Sequence, residues 1–182
     1  MTNRLLASIV GIALLGSTAF AQSDRRDFAI VNDITKEVRG YVHYSVFDDV
    51  SASVEDGVVT LVGKVTMPYK RADIEKRVAR VDGVARVNNH IDVLPVSQFD
   101  DDLRYRIARA IYGNPNFWNY AAMVNPPIHI VVERGHVTLT GVVQSPVERM
   151  LARSLASSFG AFSVKSELRT DAEMRALMER ID

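Results

Sequence analysis

The chain has 182 residues, with 22 basic and 22 acidic side chains and a formal net charge of zero, so no global field draws it to nucleic acid. It has no cysteine, which excludes disulfides, thiol nucleophiles and a lipid-modified N-terminal cysteine. The length accommodates two small units, and no low-complexity stretch or long Gly/Ser linker interrupts it.

Arg4 precedes an uncharged run, Leu5 to Phe20, that is short for a bilayer span and ends in Ala19-Phe20-Ala21. This is the pattern of a secretory signal peptide over residues 1–21, cut after Ala21. The competing reading is an uncleaved anchor. Export would leave a mature chain in the periplasm or outside the cell, and not as a lipoprotein.

The first unit is expected over 24–94. Ile30, Ile34 and Val38 recur every four residues, with Val31 and Tyr41 alongside and Lys36, Glu37 and Arg39 opposite, which predicts an amphipathic helix ending near Gly40. Asp56-Gly57 between two alternating runs predicts a hairpin with a type I′ turn. In that register Ala52, Val54, Val59 and Leu61 share the buried face, while Ser51, Ser53 and Thr60 point the other way. Gly63 marks a bulge or a close approach. Pro68 opens a second helix with Ile74, Val78 and Val81 inward and a basic stripe of Lys70, Arg71, Lys76, Arg77 and Arg80. Gly83 stops it, and Val87 to Val93 alternates as a third strand. The order is α-β-β-α-β.

The second unit is expected over 97–170. Ser97 and Asp100 resemble a capping box, and Phe99, Leu103, Ile107 and Ile111 mark one helical face, with the acidic run Asp100-Asp101-Asp102 at its N-terminus. Val132 to Arg149 then repeats Val54 to Arg71, 78 residues on, with ten identities in eighteen positions. That establishes a tandem repeat. The segment ahead of this hairpin is about five residues longer than in the first unit, and residues 113–127 carry Phe117, Trp118 and Tyr120. After Pro146, Val147, Met150, Leu151 and Leu155 are expected inward, Gly160 ends the helix, and Val164 to Thr170 is the last strand. Residues 171–182 read as a short amphipathic helix capped by Asp171, with Met174, Leu177, Met178 and Ile181 on one face.

The fold class is therefore α+β: two tandem α-β-β-α-β modules, each with its helices on one face of its sheet. A signal peptide, then two copies of a helix, a Val-x-x-Gly-x-Val-Thr-Leu-x-Gly-x-Val hairpin, a Pro-initiated helix and a final strand, resembles a tandem BON-domain protein, the bacterial osmotic-shock and nodulation family. The resemblance spans essentially the whole mature chain. It implies that each module is a three-stranded mixed sheet with two helices on one face, and it implies periplasmic or envelope residence, phospholipid binding and a part in envelope integrity under osmotic stress. The absence of a lipid-modified cysteine and the long 113–127 loop depart from the dual-domain lipoproteins.

No Gly-x-Ser-x-Gly elbow, phosphate loop, His-Glu-x-x-His or dinucleotide fingerprint occurs, so no enzyme activity and no cofactor are expected. Asp48-Asp49 reads as satisfying turn amides rather than as an acid/base pair. His90, His129 and His136 fall on strands with parity away from the helices and are read as outward polar residues rather than metal ligands. Phe117, Trp118 and Tyr120, with Arg104, Arg106 and Arg109 on the preceding helix, are candidates for contact with anionic phospholipid or a membrane surface. The competing reading folds these rings into the core. The alternative function is a protein-interaction or holdase-type module engaging envelope proteins through the open sheet faces and the tail stripe.

Overall fold

The structure is a computed structural model that describes residues 17–179, so residues 1–16 of the expected signal segment lie outside it. The first module comprises α1 (Ser17–Arg39), β1 (Asp49–Glu55), β2 (Val58–Val65), α2 (Pro68–Val78) and β3 (Arg86–Val93). The second comprises α3 (Gln98–Tyr112), α4 (Trp118–Ala121), β4 (Ile128–Glu133), β5 (His136–Val143), α5 (Pro146–Ala156), β6 (Ser163–Ser166) and β7 (Arg169–Thr170), and α6 (Asp171–Met178) follows. Each module is an antiparallel hairpin whose second strand takes a parallel partner after a helical crossover. This is the α+β architecture expected from the repeated pattern.

The hairpins keep one register, with Val54 opposite Val59 and Val132 opposite Val137. Both turns have positive φ at both central residues, Asp56 (49°) and Gly57 (75°), Arg134 (51°) and Gly135 (77°), as a type I′ reversal requires. The strand glycines serve a close approach. A Cβ on Gly63 would sit 2.1 Å from the Asp49 carbonyl oxygen, and one on Gly141 1.8 Å from that of Pro127.

Each turn is clamped by an aspartate from the first helix of its own module. Asp27 accepts from the amides of Asp56 (2.9 Å) and Gly57 (3.2 Å), and Asp100 accepts from Arg134 (2.8 Å) and Gly135 (2.7 Å). Each clamp stands three residues before a buried apolar residue of its helix, Ile30 and Leu103. In each module two turn amides thereby fix the helix on the sheet.

One core holds Ile30, Ile34, Val38, Val59, Leu61, Ile74, Val78 and Ile91, and the other Leu103, Ile107, Ile111, Ile128, Ile130, Leu139, Ala152 and Ala156. Several expectations need correction. On α5 the buried face is Ala152 and Ala156 with Leu151 and Leu155 packed beside them, while Val147 and Met150 are exposed. Phe99 is half exposed and stacks on Phe162 instead of entering the core. The last strand is interrupted into β6 and β7 opposite Gly141. Thr170, not Asp171, caps α6 in a capping box with Glu173, since Thr170 has the extended backbone that a cap needs. In the tail stripe Met174 and Leu177 are half-buried, whereas the Met178 side chain and Ile181 lie outside the described residues.

The modules touch through the segment between α1 and β1. The Val46 carbonyl accepts from the Ile130 amide (2.7 Å), the Phe47 ring meets Tyr105 of α3 edge-on (5.2 Å between centroids) against the second core, and Lys64 pairs with Glu133.

Candidate binding site

The 113–127 segment is ordered from within. Asn114 accepts from the Asn116 amide (3.0 Å), Pro115 opens a single 3-10 turn, and α4 follows directly. Phe117 and Tyr120, three residues apart, share the inner side of that helical stretch and are 0% and 4% exposed. The Tyr120 hydroxyl donates to Glu148 (2.7 Å) and accepts from the Gln144 amide (2.9 Å), and burial with the Glu148 carboxylate pushes its pKa up to about 12. Trp118 lies on the opposite side and is 74% exposed, with Met123 and Val124 also in solvent. The aromatic trio thus divides: Phe117 and Tyr120 are core anchors, so as lipid contacts they are corrected, and Trp118 is presented outward on a pinned base.

The arginines divide as well. Arg104 is 3% exposed, donates to the Val132 carbonyl (2.5 Å) and pairs with Asp101, so it seals the edge of β4 and is unavailable to a head group. Arg106 and Arg109 are exposed, with Arg106 3.9 Å from the Asp102 carboxylate.

The equivalent node in the first module uses other chemistry. Asp48, fully buried, accepts from the Ser45 amide and hydroxyl (both 2.8 Å), from the Thr66 amide (2.8 Å) and hydroxyl (2.9 Å), and from Lys70 Nζ (2.6 Å). Burial alone would push its carboxyl up, but Lys70 and the donors of Thr66 and Ser45 outweigh it and hold the pKa below the ordinary value. Both carboxylate oxygens of Asp48 are engaged in holding the connection. Lys70 therefore leaves the basic stripe assigned to it. Elsewhere on that stripe Arg77 lies over the Tyr41 ring (4.8 Å) and 3.6 Å from Glu37, and Asp73 accepts from the Tyr41 hydroxyl (2.7 Å).

His129 also departs from the expected open sheet face. It is half-buried at the joint beside Tyr44 (5.5 Å between centroids), and burial pushes its pKa down. His90 and His136 are exposed. Among the described residues no group of three or more His, Asp or Glu could hold a metal, and no helix is long and apolar enough to cross a membrane.

A family model described as "BON domain" matches twice, over residues 30–95 and 100–171. A search of curated proteins returns no match. Among solved structures, the C-terminal domain of CdsD, a structural protein of the type III secretion system of Chlamydia trachomatis, is 15% identical, covering 84% of this chain and 70% of that one with a TM-score of 0.34. Another CdsD structure from the same organism is 12% identical, covering 83% and 97%, with a TM-score of 0.28. Likenesses this distant carry no argument here. The two family matches coincide with the duplicated hairpins and their flanking helices, and the chain belongs to the BON-domain family, with two copies in tandem.

Proposed function

We propose that the protein is a non-enzymatic, exported binding module that docks on anionic phospholipid through the second module, in support of envelope integrity under osmotic stress. The observation that carries this reading is the outward Trp118 on a base pinned by Phe117 and Tyr120. An indole favours the polar–apolar boundary of a bilayer, and a fixed base lowers the ordering cost of seating it. Met123 and Val124 extend the apolar tip, and Arg106 and Arg109 supply two exposed cations, each contributing about 1 kcal/mol near an anionic surface.

Co-sedimentation with phosphatidylglycerol-containing and pure phosphatidylcholine vesicles tests it. Binding should require the anionic lipid, weaken with added salt, and fall in Trp118→Ala and in Arg106→Glu/Arg109→Glu. Binding that ignores head-group charge, salt and Trp118 rejects the site.

A further inference from the structure

The two hairpins present equivalent outer edges, and one is covered along its length while the other is met only at its start. In a two-residue hairpin the closing pairs, Glu55 with Val58 and Glu133 with His136, exchange both hydrogen bonds, so alternate residues turn their main-chain groups away from the partner strand. On β4 each outward residue has one of its two main-chain groups engaged: Tyr112 hydroxyl donates to the Ile128 carbonyl, the Ile130 amide donates to Val46, and Arg104 donates to the Val132 carbonyl. On β1 only the Val50 amide is met, by the Tyr44 hydroxyl (3.2 Å). The amides of Ala52 and Val54 have no partner among the described residues. The helix positions that cover β4, Tyr112 and Arg104, correspond to Arg39 and Val31 in the first module, and neither of these bonds to β1.

The space beside that edge is also open. A cleft of about 580 Å³ runs between α1 and β1, floored by Val31, Ile34, Val38 and Leu61 and bounded by His129 and Met174 of the second module. Its counterpart on the second module is where Val46 and Phe47 dock, one by a main-chain hydrogen bond and the other by an aromatic side chain against α3. The molecule therefore displays, on one edge, the kind of occupant the other edge fits. β1 carries Asp49 and Glu55 and has no Lys or Pro to repel an incoming strand.

We infer that the outer edge of β1 is a docking site for an extended segment of another polypeptide, neutral to basic in charge, which adds a strand beside Ala52 and Val54 and seats one large apolar side chain between α1 and β1. Unpaired main-chain groups on an edge are matched by another backbone, and the cleft selects the side chain. The site is separate from the Trp118 tip.

The probe is a peptide with the sequence of Val42 to Phe47, flanked by one lysine at each end, titrated into the isotope-labelled protein without lipid. Saturable amide shifts should appear at Ala52 and Val54 together with methyl shifts at Val31, Ile34 and Leu61, and a peptide carrying Phe47→Ala should bind at least tenfold more weakly. Ala52→Pro removes the outward amide at a position where an edge strand tolerates proline, and Thr35→Trp fills the cleft from an exposed helix position; each should abolish the shifts while the far-UV spectrum is kept. Absent or scattered shifts, or shifts indifferent to both substitutions, overturn the inference. So does dodecanoate reproducing them where the peptide fails, which would make the cleft an amphiphile site, or a dimer in sedimentation that either substitution dissolves, which would make the occupant a second copy.

Discussion

Replacing Asp100 by alanine removes the acceptor of two turn amides, at 2.8 and 2.7 Å, from a site where the carboxylate is 1% exposed. A hydrogen bond to a charged group contributes about 1.5–3 kcal/mol, and a donor left unpaired in the interior costs a comparable amount. Both turn amides lose their partner and the Gly135 amide is buried, so the expected loss is about 3–5 kcal/mol. The matching change at Asp27 removes bonds of 2.9 and 3.2 Å, the first of them exposed to water. Water replaces an exposed acceptor, and the expected loss there is about 1–2 kcal/mol. Urea unfolding followed by circular dichroism gives the two costs, and amide exchange at Gly135 and Gly57 locates them. Asp100→Asn, which keeps one carbonyl acceptor, should fall between wild type and alanine. If Asp100→Ala costs under about 1 kcal/mol, or no more than Asp27→Ala, the clamps do not hold helix to sheet.

Phe117→Ala empties a fully buried ring position and should cost about 3–5 kcal/mol in the same unfolding assay, whereas Trp118→Ala should stay within about 0.5 kcal/mol. Gly141→Ala should destabilise far more than Gly160→Ala, because an added methyl meets the Pro127 carbonyl at 1.8 Å in one case and open space in the other; equal thermal shifts for the two would refute this. Asp48 has a lowered pKa when folded, so its contribution is complete above the unfolded carboxylate range and is lost as pH falls through the folded value; Asp48→Asn should flatten that part of the stability–pH curve. His129 is a base with a lowered folded pKa, so the fold should weaken as pH drops below about 6.5, the unfolded value, and His129→Gln should remove that slope.

Hairpins, helices and the repeat were readable because each is written in local spacing: alternation on the strands, fours on the first helices, glycine at the turn. The clamps were not, because Asp100 also fits a local role at a helix N-terminus, and its partners lie 34 and 35 residues away. One signal was available. Aligning Ile30 with Leu103 places Asp27 on Asp100, both just ahead of the first core residue. In the 113–127 segment the presence of aromatics was plain but their division was not, although the three-residue step from Phe117 to Tyr120 sets those two on a side that excludes Trp118. By residue type alone Arg104 reads as a cation for a head group and Lys70 as part of a basic helix stripe, both on the surface. Burial became affordable only through tertiary acceptors, the Val132 carbonyl and the Asp48 carboxylate.

A polypeptide made of two near-copies runs a hazard while folding, since the crossover helix of one half can settle on the strands of the other. The anchoring residues at the head of that helix are Lys70 in one copy and Glu148 in the other, facing Asp48 and Tyr120 respectively. An exchanged pairing would force Glu148 against the sealed carboxylate of Asp48, two anions without water, and would leave Lys70 with a phenol for company. Divergence at this single contact thus sorts each helix to its own half, and restoring sequence identity there should make the chain more prone to swapped and aggregated products.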